Sequence, residues 1–272
     1  MVNERDRKYL DIILTPIRVC ADYKPKMGKR DQNPLDLDGF QRLYRADPFY
    51  NWFGLYNPLM YTAHRAAGGM TSIYRQLGIG GENLFREIIM DGLGLTREQA
   101  NWSYTSETGG KPRTLKLDGR IQFDHVADQD KRNKIKGWVR SVAGTMNVDP
   151  GIAGSLKGVV FEVRQGYKSK DSKRQNADLA NAHAAYTRGG YLPCMLLLST
   201  QIDEDIVIRY RSENYALLVG SISNSSPITS TYDFMREVIG YDLAGFFERH
   251  SNTLKEEVER ILELLLCGDN ES

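Results

Sequence analysis

The sequence is poor in the residues that usually announce a chemistry. Its three cysteines, Cys20, Cys194 and Cys267, lie far apart. They offer no metal-ligand spacing, and an odd number argues against a disulfide framework, so cysteine usage points to a reducing cytosol. The four histidines, His64, His125, His183 and His250, form no cluster and read as structural residues. Ser199 follows an apolar run in "LLSTQ", but nothing beside it marks an activated nucleophile. No apolar run reaches membrane-spanning length, and the N-terminal "MVNERDRKYLDIILTPIR" sets charges on both sides of an apolar patch too short for a signal or an anchor. A soluble protein with no membrane partner is expected. Net charge is missing too: +1 over 272 residues makes no global basic field, so any polyanion must be held by a local patch. The glycines of "GIGGEN" lack the Lys-Ser/Thr that a phosphate loop requires, which excludes a P-loop NTPase. Repeats, low-complexity tracts and an obvious linker are absent as well.

What is present describes an ordinary globular chain with ample length for a core: 41% hydrophobic and 26% charged residues. Helical spacing of Tyr9, Ile12, Ile13 and Ile17 predicts a helix over 1–19. Residues 20–58, with "DPFYNWFGLYNPLMY", read as irregular structure packed by Trp52, Phe53, Leu55 and Tyr56, or alternatively as an aromatic surface for a partner. A helix is predicted near 81–94, stopped by Gly92 and Gly94. Asp118-Gly119 between two alternating runs predicts a hairpin. Residues 129–146 are basic and amphipathic and read as a helix. A strand follows at 158–165, then an alanine-rich helix near 173–187, then the buried strands "YLPCMLLLST" and "YALLVG". Two helices, about 231–248 and 252–266, close the chain. This order argues for an α/β fold, a central mixed sheet flanked by helices. The expectation is a single domain over 1–272, with a core at about 81–220, an N-terminal elaboration at 1–80 and C-terminal helices at 229–267.

The stretch "EVRQGYKSKDSKRQNAD", Glu162 to Asp178, gathers Arg164, Lys168, Lys170, Lys173 and Arg174 where a buried strand reaches the surface. Residues two apart on a strand share a face, so Glu162 and Arg164 stand opposite Phe161 and Val163. A carboxylate flanked by cations there is a way to hold Mg²⁺ beside a phosphate. A second acid is needed. Asp149, in "VDPG", is the candidate, with Asp118 and Asp124 as rivals, and the helix at 81–94 offers Glu82 or Glu87 as a third. Ser172 is placed to cap the next helix, with Lys173, Arg174 and Asn176 in its first turn. Cations at a helix N-terminus make sense when an anion sits there. Arg and Asn also pair with base edges; Asp178, four residues after Arg174, could fix that guanidinium or accept from a cytosine amino group.

"VVFEVRQGYKSKDSKRQNADLANA" followed by "YLPCMLLLSTQIDEDIVIRYR" resembles type II restriction endonucleases of the PD-(D/E)xK superfamily, with the likeness concentrated in 149–211. The resemblance implies a restriction-endonuclease-like core and Mg²⁺-dependent cleavage of double-stranded DNA at a short palindromic site. It further implies a homodimer, at least on DNA, working in the cytoplasm of a prokaryotic cell as part of restriction-modification. On that pattern Asp149 and Glu162 are the metal-binding acids, and Glu87 or Glu82 is an added glutamate. Arg164 stands where the motif has its lysine. Lys168 is the first choice for that role, then Lys170, with Arg164 itself a third. Arg164, Lys170, Ser172, Lys173, Arg174, Asn176 and Asp178 fall where related enzymes contact DNA. The rival classes are a DNA-binding protein without catalysis and a repair nuclease without base specificity.

Overall fold

The computed structural model of the chain describes residues 3–26, 34–108, 111–167, 172–222 and 226–267. The contacts divide the chain into two compact units, residues 1–80 with 249–272, and 81–248.

The first unit is helical. In α1 (Glu4–Arg18), Asn3 caps the first turn and Tyr9, Ile13, Leu14 and Ile17 form the buried stripe. Where irregular structure was expected, α2 (Leu37–Ala46) and α3 (Pro48–Trp52) form. Asp36 accepts from Gly39 N, Asp47 accepts from Phe49 N and Tyr50 N, and Pro48 occupies the first turn of α3. Only Phe40 is buried here, against Tyr44 and Tyr61. Trp52 is 79% and Phe53 68% exposed, so these two do not pack the segment. The helix expected from 81 starts far earlier: α4 runs Pro58–Leu93 and carries the "GIGGEN" glycines in its interior. Gly80 has a packing reason, since a Cβ there would come within 2.9 Å of the Ile13 carbonyl oxygen.

The second unit begins at Gly81 inside α4 and continues through α5 (Arg97–Ala100), β1 (Trp102–Thr108) and β2 (Lys111–Leu117). β1 and β2 pair as a separate antiparallel ribbon, with Trp102 opposite Leu117. Asp118-Gly119 is therefore not a hairpin turn. The chain bends at Asp118 and passes from β2 into β3 (Gly119–Gln122), which pairs with a different strand. Both alternating runs are strands, but the first pairs with β1 just before it and the second with a strand far along the chain. α6 (Gln129–Thr145) and α7 (Pro150–Ser155) precede β4 (Gly158–Arg164). Next come α8 (Ser172–Ala184), ending in a π-turn over Ala185–Gly189, then β5 (Tyr191–Leu197), α9 (Glu204–Ser212) and β6 (Ala216–Leu218). α10 (Thr231–Asp233) continues as a π-turn to Ile239 and breaks at Gly240, φ 87°, so the expected helix over 231–248 divides there. α11 (Leu243–Arg249) ends this unit, and α12 (Ser251–Cys267) belongs to the first.

The mixed sheet has the order β3-β4-β5-β6, with β3 antiparallel to β4 and the rest parallel. The fold is thus α/β, a mixed sheet flanked by helices. Phe161 on β4 meets Phe85 of α4, Trp138 of α6 and Phe234, at ring separations of 4.9, 6.4 and 5.6 Å. On the opposite face Met195 and Leu197 of β5 pack with Ala182 of α8 and Ile206 and Tyr210 of α9. Among the described residues no helix is long and apolar enough to cross a membrane.

Candidate active site

The candidate site lies where β3 leaves β4. Asp118 N donates to Phe161 O (2.8 Å), and Val163 N donates to Asp118 Oδ2 (2.8 Å). The carboxylate thus supplies the acceptor that a longer β3 would have given. Gly119 pairs with Phe161, so continuing the register by one residue sets Asp118 opposite Glu162. A side chain at Gly119 would collide with the Phe85 ring, its Cβ reaching 2.7 Å from the nearest ring carbon, so glycine keeps β3 close over α4. From α4, Glu82 lies near enough to both carboxylates to act on them electrostatically, and Arg86, one turn further on, donates through Nε to Asp118 O (2.9 Å).

Three half-buried acids in one place disfavour one another's ionisation. Burial first, then the neighbouring Glu82, pushes Asp118 up to about 7; burial first, then Asp118, pushes Glu162 up to about 7. Glu82 is raised as well, by burial first and then by Glu162. Arg164 opposes this. Its Nη2 donates to Glu162 Oε1 (3.0 Å) and to Asp178 Oδ1 (2.5 Å). Burial works against its charge, but the two carboxylates outweigh burial and raise its pKa. The guanidinium is therefore a permanent cation beside Glu162. Among the described residues, no hydrogen bond engages Asp118 Oδ1 or Glu162 Oε2. Each acid thus has one oxygen tied down by the protein and one open to a ligand.

Several sequence expectations are corrected here. Asp149 is exposed and caps α7, accepting from Gly151 N (2.8 Å) and Ile152 N (3.2 Å); its rival Asp118 is the acid beside Glu162. Asp-Pro opening a short helix was the competing local signal, and it prevailed. Asp124 is exposed in a one-turn helix, Phe123–His125. On α4, Glu82 acts on the two carboxylates, while Glu87, five residues further along, lies about 140° round the helix from it. Arg164 and Asp178 are buried, at 8% and 4% exposure, and bound to each other, so Asp178 is not placed to read a base. Asn176 Oδ1 accepts from Arg209 Nη2 (2.5 Å) and Gln175 Oε1 from Arg209 Nη1 (2.7 Å). Lys173 and Arg174 are exposed in the first turn of α8, and the charge of Arg174 reaches Glu82. Ser172 is the first residue of α8 itself. Its side chain, and all of Lys168 and Lys170, lie outside the described residues.

Sequence reasoning missed Arg86, Tyr167, Arg209 and Tyr210. Only Arg86 had a readable signal, its i,i+4 relation to Glu82 on a predicted helix. No protein-family model, no curated protein and no solved structure matches the chain.

Proposed function

We propose that the protein is a Mg²⁺-dependent endonuclease that hydrolyses phosphodiester bonds of double-stranded DNA at a short palindromic sequence, on a restriction-endonuclease-like core. The observation that carries this reading is that Asp118, hydrogen-bonded to Phe161 and Val163 on either side of Glu162, brings its carboxylate beside that of Glu162, with Glu82 near both and a cation two residues after Glu162. That is the acid–x–cation arrangement of the resembled motif, with Asp118 in the place expected for Asp149.

The donor set fits Mg²⁺. Among the described residues no three His, Cys, Asp or Glu side chains make a ready-formed cage. Mg²⁺ does not demand one, since it keeps several waters and uses one or two carboxylates plus substrate phosphate oxygens. Asp118 and Glu162 would hold it. Bound there, the ion supplies charge for the phosphate oxygens and acidifies a water. The protein supplies the rest. Arg164, always protonated, faces charge developing on the phosphoryl group. Lys173 and Arg174 hold flanking phosphates, where affinity falls steeply with salt. Water attacks phosphorus in line and loses a proton to solvent, one P–O ester bond breaks, and the leaving oxygen takes up a proton from solvent. Two chains are needed to cut both strands of a palindrome.

One observation favours a second reading, a DNA-binding protein without catalysis: the cation two residues after Glu162 is an arginine already engaged by Asp178. Incubating the purified chain with plasmid DNA and Mg²⁺ decides. Discrete fragments are expected. A gel shift without cutting in any divalent metal supports the binder, and heterogeneous products support a nuclease without base specificity.

A further inference from the structure

We infer that Asp178 is a positioning residue: from the buried face of α8 it holds the guanidinium of Arg164 against Glu162, so that a fixed arginine serves where the resembled motif has a lysine. The inference rests on the nuclease reading of this site.

Both carboxylate oxygens of Asp178 are used. Oδ1 accepts from Arg164 Nη2 at 2.5 Å; Oδ2 accepts from Tyr210 Oη at 2.8 Å and Tyr167 Oη at 3.1 Å. The two hydroxyls lie 3.1 Å apart, and the guanidinium carbon stands 4.8 Å from the Tyr167 ring centre. Asp178 is thus clamped from β4, from the segment after it and from α9, while Arg164 is held from both sides. The Arg164 Nε also reaches Glu162 Oε1 at 3.3 Å. A buried ion pair gains little stability over an apolar substitute, so stability alone is a weak reason for this arrangement. What it secures is place. A guanidinium is a planar fork that can engage Asp178 and Glu162 together; an ammonium on a flexible stem is a point charge and cannot be held in the same way. Burial also removes Asp178 from base reading, because no base edge can reach it.

Steady-state plasmid cleavage in Mg²⁺, with DNA affinity measured separately in Ca²⁺, tests this. Asp178→Asn should lower kcat by about 10–100-fold, the range for outer partners that orient a site, with KM and DNA affinity unchanged. Arg164→Lys should fall as far. Added guanidinium should restore Arg164→Ala in part, and should fail to restore Arg164→Ala combined with Asp178→Asn. If Asp178→Asn does not fold, Tyr210→Phe, which keeps the ring and removes the hydroxyl that reaches Asp178 and Tyr167, should still lower kcat about threefold. Asp178→Asn or Tyr210→Phe cutting as fast as the wild type overturns the positioning role alone. A wild-type chain that cuts nothing overturns the nuclease reading, and this role with it.

Discussion

Phe161 and Glu162 are neighbours on the same strand, and the two faces of β4 that they define are held by different physics. On the Phe161 face, rings from α4, α6 and the π-turn after α10 enclose an apolar side chain. Nothing there depends on protonation, and what matters is filled volume. On the Glu162 side, Glu82, Asp118, Glu162 and Asp178, from four segments, meet Arg86, Arg164 and Arg174, and burial disfavours the charged form of Glu82, Asp118 and Glu162. The first face contributes to stability. The second gives some of it up once its acids ionise.

Breaking each face separately sharpens this contrast. The largest effect is expected for Glu162→Ala. Cleavage in Mg²⁺ should fall by at least about a thousandfold, the scale for losing a group that fixes transition-state charge. DNA affinity in Ca²⁺ should stay within a few fold, and full activity would remove Glu162 from the chemistry. Phe161→Ala is the counterpart on the apolar face. It should cost about 3–5 kcal/mol in urea unfolding, and a loss below about 1 kcal/mol would mean that the ring cluster is not the core described here.

The third prediction concerns pH. Asp118 and Glu162 stand at about 7 in the folded chain, against about 4 when unfolded. A raised carboxylate favours the folded state while protonated, so this contribution is complete below about pH 4 and is lost as pH rises through about 7. Without metal, the melting temperature should drop by a few degrees between pH 5 and pH 8. Asp118→Asn should reduce that drop, and millimolar Mg²⁺ should reverse it in the wild type alone. An equal drop in both proteins would show that the two acids do not repel. The smallest effect is expected for Asp149→Ala, the loss of an exposed helix cap worth about 1 kcal/mol, with cleavage unchanged. A collapse of cleavage in that variant would reinstate the acid that the sequence motif first suggested.

Much of the sheet was legible. β4, β5 and β6 announce themselves as apolar runs, α6 and α8 as amphipathic or alanine-rich segments, and the period of two set Glu162 and Arg164 on one face against Phe161. The length of α4 was not legible, because its interior glycines are breakers locally and are offset only by close neighbours such as Ile13. Nor was the exposure of Trp52 and Phe53, since aromatic composition predicts burial without saying which rings obtain it. At the site, Glu162 was found from spacing along one strand. Asp118 could only be weighed against Asp149 and Asp124, for its place depends on which strand β3 pairs with.

The sequence by itself determined the local patterns: a strand ending in an acid and a cation, a helix opening with basic residues, and an α/β order of elements. These follow from periodicity, which neighbouring residues carry among themselves. Tertiary structure decided which acid faces Glu162, which glutamate of α4 approaches, and that Asp178 turns inward to grip Arg164 instead of outward to a base. Those outcomes depend on strand register and on which helix face is covered, and both are settled by contacts between residues far apart in the chain.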